Sequence, residues 1–206
     1  MKKEDTKNII LKKALELFSE KGYNAVSVDE IAKAVGIKAP SLYNHFSGKQ
    51  AIFNAIVNAT SKQYETDTDK INIHVQNVKQ DISVFTEISE ESLINKVKEL
   101  FDYSLHNETI SRFRKMMTIE QFRSADLAEL YYKRYVERII NYHTEIFCNL
   151  ISEKKLKNED PKTLALMYVA PIITLIEVCD RQPEKYNECI DKLEKHIRLF
   201  YKTFGI

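Results

Sequence analysis

Residues 27 to 49 read Ser-Val-Asp-Glu-Ile-Ala-Lys-Ala-Val-Gly-Ile-Lys-Ala-Pro-Ser-Leu-Tyr-Asn-His-Phe-Ser-Gly-Lys, and few of them leave the backbone much choice. Ser27 and Glu30 have the S-x-x-E spacing, in which the hydroxyl accepts from the N–H near Glu30 and the carboxylate reaches back, so a helix is expected to begin at Val28. Val28, Ile31, Ala32 and Val35 fall on one face of it, leaving Asp29, Glu30 and Lys33 to water. Gly36 stops this helix, because glycine enters the left-handed conformation without a Cβ penalty. Ile37 follows as an apolar plug beneath the turn. A second short helix is predicted over Ala39 to Phe46, with Pro40 in its first turn, where a missing N–H removes no intrahelical bond. Leu42 and Phe46, four apart, form its inward stripe, and Ser41, Tyr43, Asn44 and His45 face outward. Two short helices joined by a tight turn are the outline of a helix-turn-helix, whose second helix suits a DNA groove.

The flanks extend this head. Ile9, Ile10, Ala14, Leu17 and Phe18 stripe a first helix from about residue 4 to 21, ended by Gly22. Ser47 and Gln50 offer a second capping box, from which Ile52, Phe53, Ile56 and Val57 carry a fourth helix toward Tyr64. Residues 1 to 50 hold nine lysines against six acids. That excess has the sign expected of a segment that meets phosphates.

A chain of 206 residues with only four glycines and four prolines favours long helices over a turn-rich sandwich or barrel, so the expected fold is all-α. Residues 66 to 88 are ambiguous: Ile71, Ile73 and Val75 alternate like a strand, while Val78, Ile82 and Phe85 space like a helix, and a loop with some helix is expected. Further helices are predicted from Ser89 to about His106, from Ile110 to Gln121 and from Ser124 to about Lys155. Cys148, Cys179 and Cys189 include no C-x-x-C pair and read as free, buried thiols in a reducing cytoplasm. The N-terminus leads into an amphipathic helix and not an apolar signal segment. The apolar stretch Leu164 to Cys179 is too short for a bilayer and contains Thr174 and Glu177. A soluble, cytoplasmic protein without membrane contact is expected.

Asp160-Pro161 is a helix start, and Pro183 repeats the signal for the final helix. The helix between them is apolar all round, with Pro171 expected to kink it. A helix apolar on every side must be covered on every side, and a second copy of the chain is the expected cover. Tyr168, Ile172, Leu175 and Ile176 on this helix, with Leu193, Ile197 and Phe200 on the last, are the expected homodimer interface.

One ordered string stands out: Ala14-Leu15-Glu16-Leu17-Phe18, Gly22-Tyr23, Val26 to Ala32, Gly36-Ile37, Ser41 to Phe46 and Lys49. It resembles the DNA-binding head of the tetracycline-repressor (TetR) family of bacterial transcription regulators, whose bodies diverge freely. The resemblance implies residues 1–48 as a DNA-binding domain and 49–206 as a ligand-binding and dimerisation domain. It also implies a homodimer on a near-palindromic operator, usually a repressor, released by a small molecule. Ser41 and Asn44 are short polar residues suited to base edges, Asn favouring adenine. Tyr43 and His45, like their counterparts in similar proteins, are assigned to phosphates, as are Lys49 and Ser27 beside its capping role. Tyr43 and His45 also read as packed at the head's edge. Lys38 departs from the family, where serine commonly caps the recognition helix. That loss costs about 1 kcal/mol and adds a cation.

For the ligand, Tyr64, Tyr103, Phe113, Met117, Tyr135 and Tyr142 are candidate apolar lining, with Gln121 and His143 as polar anchors, implying a hydrophobic inducer. The competing reading for each is ordinary core. The fourth helix is the obvious lever between ligand and DNA. His106, His143 and His196 are too scattered for a metal site, and no cofactor is expected. There is no Gly-rich phosphate loop, G-x-S-x-G or H-E-x-x-H, so catalysis is not expected. The alternative to a DNA regulator is a helical protein-interaction module.

Overall fold

The computed structural model describes residues 3–74 and 77–205, with the side chains of residues 3 and 4 left aside. In chain order the helices are α1 (Lys3–Lys21), α2 (Val28–Val35), α3 (Ala39–Tyr43), α4 (Lys49–Lys70), α5 (Val78–Glu87), α6 (Glu90–His106), α7 (Glu108–Glu120), α8 (Ala125–Tyr132), α9 (Arg138–Ser152), α10 (Pro161–Arg181) and α11 (Tyr186–Phe204). No strand forms among the described residues; Leu156 and Gly205 share an isolated antiparallel bridge. The chain makes two compact units, Met1–Tyr64 with Glu108–Tyr131, and Glu65–Asn107 with Tyr132–Ile206.

In the first unit α7 packs along α1. Ile10, Ala14 and Phe18 from α1, Ile31 and Ala32 from α2, Leu42 from α3, Ile52 and Phe53 from α4, and Phe113, Met116 and Met117 from α7 are all buried. Two local expectations change. The helix α3 stops at Tyr43 and not at Phe46: past it the chain tightens, with His45 N–H taking an i→i−3 bond to Leu42 O at 2.9 Å, the carbonyl that Phe46 N–H also reaches at 3.1 Å. The second capping box does not form, since Gln50 accepts from Tyr23 Oη at 2.8 Å and donates to Asn54 at 3.0 Å.

In the second unit Ile94, Tyr142, Ile146, Phe147, Leu164, Tyr168, Ile197 and Phe200 share one core, and Phe101, Cys179, Cys189 and Leu193 share another. The ambiguous segment resolves into the end of α4, a turn with Asn72 at φ 54°, and α5. Ile73 is buried in that turn and not in a strand, and Val75 lies outside the described residues. The expected long helix from residue 124 is divided by a π turn at Lys133–Glu137, where Arg138 N–H donates to Lys133 O. It ends at Ser152, past which Lys155 N–H turns back to Leu150 O at 2.8 Å. Cys148 is exposed, unlike the other two thiols, and burial pushes the Cys179 thiol up to about 12.

Asp160 caps α10 by accepting from Thr163 N–H at 2.7 Å, and the helix continues through Pro171 for 21 residues. By length and composition it could cross a bilayer, although its inner face is core. The expected dimer face needs correction. Tyr168, Leu193, Ile197 and Phe200 are buried within the single chain, because α10 packs on α9 and α11 through them. Ile172, Leu175 and Ile176 are half-buried. The apolar side chains left outside are Leu166, Met167, Leu199 and Tyr201, exposed by 53, 49, 64 and 43 %.

Candidate nucleic-acid interface

Ser27 Oγ accepts from Glu30 N–H at 3.1 Å, making the first half of the capping box. The second half is replaced: the Glu30 carboxylate pairs with Lys21, whose hydrogen bond holds it below the usual carboxylate range. At the other end of α2, Gly36 sits at φ 80°, its N–H donating to Lys33 O at 3.1 Å while Ile37 N–H donates to Ala32 O at 3.0 Å. These are the two bonds of a Schellman turn, and they set the angle at which α3 leaves. Lys38 precedes α3 with no side-chain cap bond, and Pro40 lies in its first turn.

Leu42 on α3 and Phe46 just past its end are buried. Tyr43, Asn44 and Lys38 are exposed, Ser41 and His45 half-buried, so the recognition candidates stand together on the outer surface. Lys7, which the sequence pattern did not single out, joins them. Its ammonium lies 5.4 Å over the Phe46 ring, which places a cation beside α3. No local pattern in α1 points to that pairing.

Lys49 does not match its expected role. Its ammonium donates to Tyr23 O and Val26 O, both at 2.8 Å, reaches Asn24 O at 3.4 Å, and sits 4.5 Å over the Tyr23 ring. All three donors are engaged on the α1–α2 loop, so Lys49 clamps that loop and has no proton left for phosphate. Tyr23 is the centre of the clamp, its ring edge-on to both Phe18 and Phe53 at 5.1 Å. The Tyr23 N–H donates to Glu120 Oε1 at 3.0 Å, from the end of α7, and Arg123 donates to the same oxygen at 3.1 Å. At Gly22, φ 84°, a Cβ would lie 2.7 Å from that oxygen and 2.8 Å from Arg123 Nη1, so a side chain there would displace both groups. Glu120 was missed because its partner lies 97 residues away.

The ligand candidates divide between the units. Phe113 and Met117 are fully buried in the first, where Gln121 donates to Thr118 O at 3.1 Å and Tyr64 is half-buried. In the second, Tyr103 Oη donates to Asp67 at 2.9 Å, Tyr135 lies beside the Arg134 guanidinium, and Tyr142 Oη donates to Asp81. Tyr142 and its neighbour His143 pack ring to ring at 5.2 Å. His143 Nδ1 contacts Ile139 O at 2.9 Å, and burial pushes its pKa down to about 4. A cleft of about 230 Å³ in the first unit, lined among others by Leu15, Glu16, Ile56, Thr60 and Arg112, includes none of the eight. Among the described residues no group of three or more His, Cys, Asp or Glu is placed to hold a metal ion.

Residues 10–56 match the family described as bacterial regulatory proteins, tetR family. The chain is 24% identical over 203 residues to the probable HTH-type transcriptional regulator YttP of Bacillus subtilis, covering 98% of this chain and 89% of YttP. It is 49% identical over 51 residues to IcaR of Staphylococcus aureus, the negative transcriptional regulator of the biofilm operon icaADBC, covering 25% of this chain and 27% of IcaR. Among solved structures, NalD, the secondary repressor of the MexAB-OprM multidrug efflux pump in Pseudomonas aeruginosa, superposes with a TM-score of 0.67 at 22% identity over 98% of this chain and 96% of its own.

Proposed function

We propose that the chain, whose residues 10–56 match the TetR family, acts as a homodimeric repressor whose α3 reads an operator and whose remainder responds to a small hydrophobic molecule. The observation that carries this reading is the polar outer face of α3, seated by the Schellman turn on one side and buried Leu42 and Phe46 on the other. Ser41 and Asn44 supply donors and acceptors for base edges. Tyr43, His45, Lys38 and Lys7 hold phosphates, which fixes register without reading sequence. Ser27 and Lys49 act one step back, on the helix and the loop that carry α3.

Residues 1–48 are the DNA-binding segment in this reading, and 49–206 hold the ligand and the partner copy. The dimer face moves outward to Leu166, Met167, Leu199 and Tyr201, joined by half-buried Ile172, Leu175 and Ile176. Two copies place their recognition helices about 34–36 Å apart, one helical turn of DNA. A ligand that favours another spacing draws the population away from DNA, by no more than its differential affinity for the two states. Regulation by a negative mode follows IcaR, and the site of action is the cytoplasm.

Selection of duplexes from a random library by the full chain tests this. Expected is a two-half-site sequence with half-site centres about 10–10.5 base pairs apart, or a multiple, bound with strong salt dependence. Recovery of no preferred sequence at low salt would refute it.

A further inference from the structure

We propose that Glu120 is a positioning residue for the recognition helix, a catch through which displacement of α7 is passed to α3 by way of the Tyr23 N–H. The proposal rests on the DNA-binding reading above. Glu120 is wholly buried at the end of α7, a helix packed along α1 within the same compact unit. One of its oxygens accepts from Tyr23 N–H and from Arg123. The other, equally buried, has no hydrogen-bond partner among the described residues. The shared oxygen ties the end of α7 to the backbone of the α1–α2 loop.

Tyr23 cannot move alone. Its carbonyl is held by Lys49, its hydroxyl by Gln50, and its ring by Phe18 and Phe53. Four residues on, Ser27 caps α2, and α2 passes through the Gly36 turn into α3. Gly22 lets the carboxylate and Arg123 approach the loop, since a Cβ there would push both aside. A shift of α7 thus reaches the recognition helix through the α1–α2 loop, a route independent of the length of α4.

The test uses the full chain and the duplex that the wild-type protein selects. For E120A, the ratio of affinity for that duplex to affinity for a scrambled one should fall at least tenfold. Helical content and affinity for the scrambled duplex should stay within twofold, because phosphate contacts survive when base contacts lose register. E120Q, whose amide oxygen still accepts from Tyr23 N–H, should keep the ratio within threefold of wild type. An unchanged ratio in E120A, or a fall in E120Q as large as in E120A, overturns the proposal. Hydrogen exchange on the wild type needs no variant to fold: the Tyr23 amide should be protected at least tenfold more with the selected duplex than without, and equal protection also overturns it. Failure of the wild type to select any duplex would instead remove the DNA-binding reading, before any variant is made.

Discussion

Each of the two compact units buries a carboxylate completely, and the two are satisfied to different degrees. Asp81, in the second unit, accepts from His74 N–H at 2.7 Å, meets His74 Nδ1 at 2.6 Å, and accepts from Tyr142 Oη, so both its oxygens are used. Glu120, in the first, uses one oxygen and leaves the other idle among the described residues. The physical reason for the contrast is geometric. The turn at Asn72 wraps the chain around Asp81, whereas Glu120 stands at a helix end and meets the loop from one side. A saturated buried carboxylate fixes a loop. Glu120 holds the Tyr23 N–H through the one oxygen it shares with Arg123.

The sharpest way to break this comparison is to remove each carboxylate in turn. Asp81→Ala strands a buried phenol and an imidazole and should cost about 3–5 kcal/mol in urea unfolding, whereas Glu120→Ala should cost only about 1–2, because one oxygen had no bond to lose. Equal losses would erase the distinction. Next in size is His143, whose pKa of about 4 lies below its ordinary 6.5. The folded chain refuses a proton that the unfolded chain accepts, so stability is complete above pH 6.5 and declines as pH falls toward 4. The decline from this group reaches about 2–3 kcal/mol. In His143→Gln the stability profile should flatten across that window, and a parallel profile would show that the second unit's core is not excluding the charge.

The two left-handed glycines compare the clamp with the turn. At Gly36 a Cβ would meet nothing within 4 Å among the described residues, so Gly36→Ala should cost only the conformational strain, about 1–2 kcal/mol. Gly22→Ala carries the same strain and also drives into Glu120, so its melting temperature should drop further. The reverse order would mean that the Glu120 seat is not tight. Smallest is Ser27→Ala, about 1 kcal/mol for a lost cap, without the additional loss expected had Glu30 completed the box.

Much of the first unit was legible because its signals are local. Ser27, Gly36 and Pro40 act on backbone within a few residues, and the spacing of Ile31, Leu42 and Phe46 identifies the buried faces. What escaped was long-range. Nothing in the neighbourhood of Glu120 or Lys7 marks a partner in a distant segment, and the basic residue at position 49 reads as a phosphate contact until its three carbonyl acceptors are seen. In the second unit, helices were recognisable by period, but the faces of α10 and α11 were not, since an all-apolar helix has no polar side to reveal which way it turns. Tyr168 and Phe200 were therefore assigned to a partner copy when they belong to the protomer's own core. The ligand candidates rest on a weaker signal for a related reason: aromatic residues mark burial, and burial does not distinguish a filled core from a pocket.

The central claim is that the outer face of α3 reads DNA sequence while the residues around it hold the backbone. Binding of Asn44→Ala and Lys7→Ala to the selected duplex, measured across a salt series, tests it most directly. Asn44→Ala should lose about 1–3 kcal/mol of discrimination at one base position with the salt slope preserved, and Lys7→Ala should weaken selected and scrambled duplexes alike, with a slope shallower by about one. Discrimination intact in Asn44→Ala, or a salt slope unchanged in Lys7→Ala, would contradict that division.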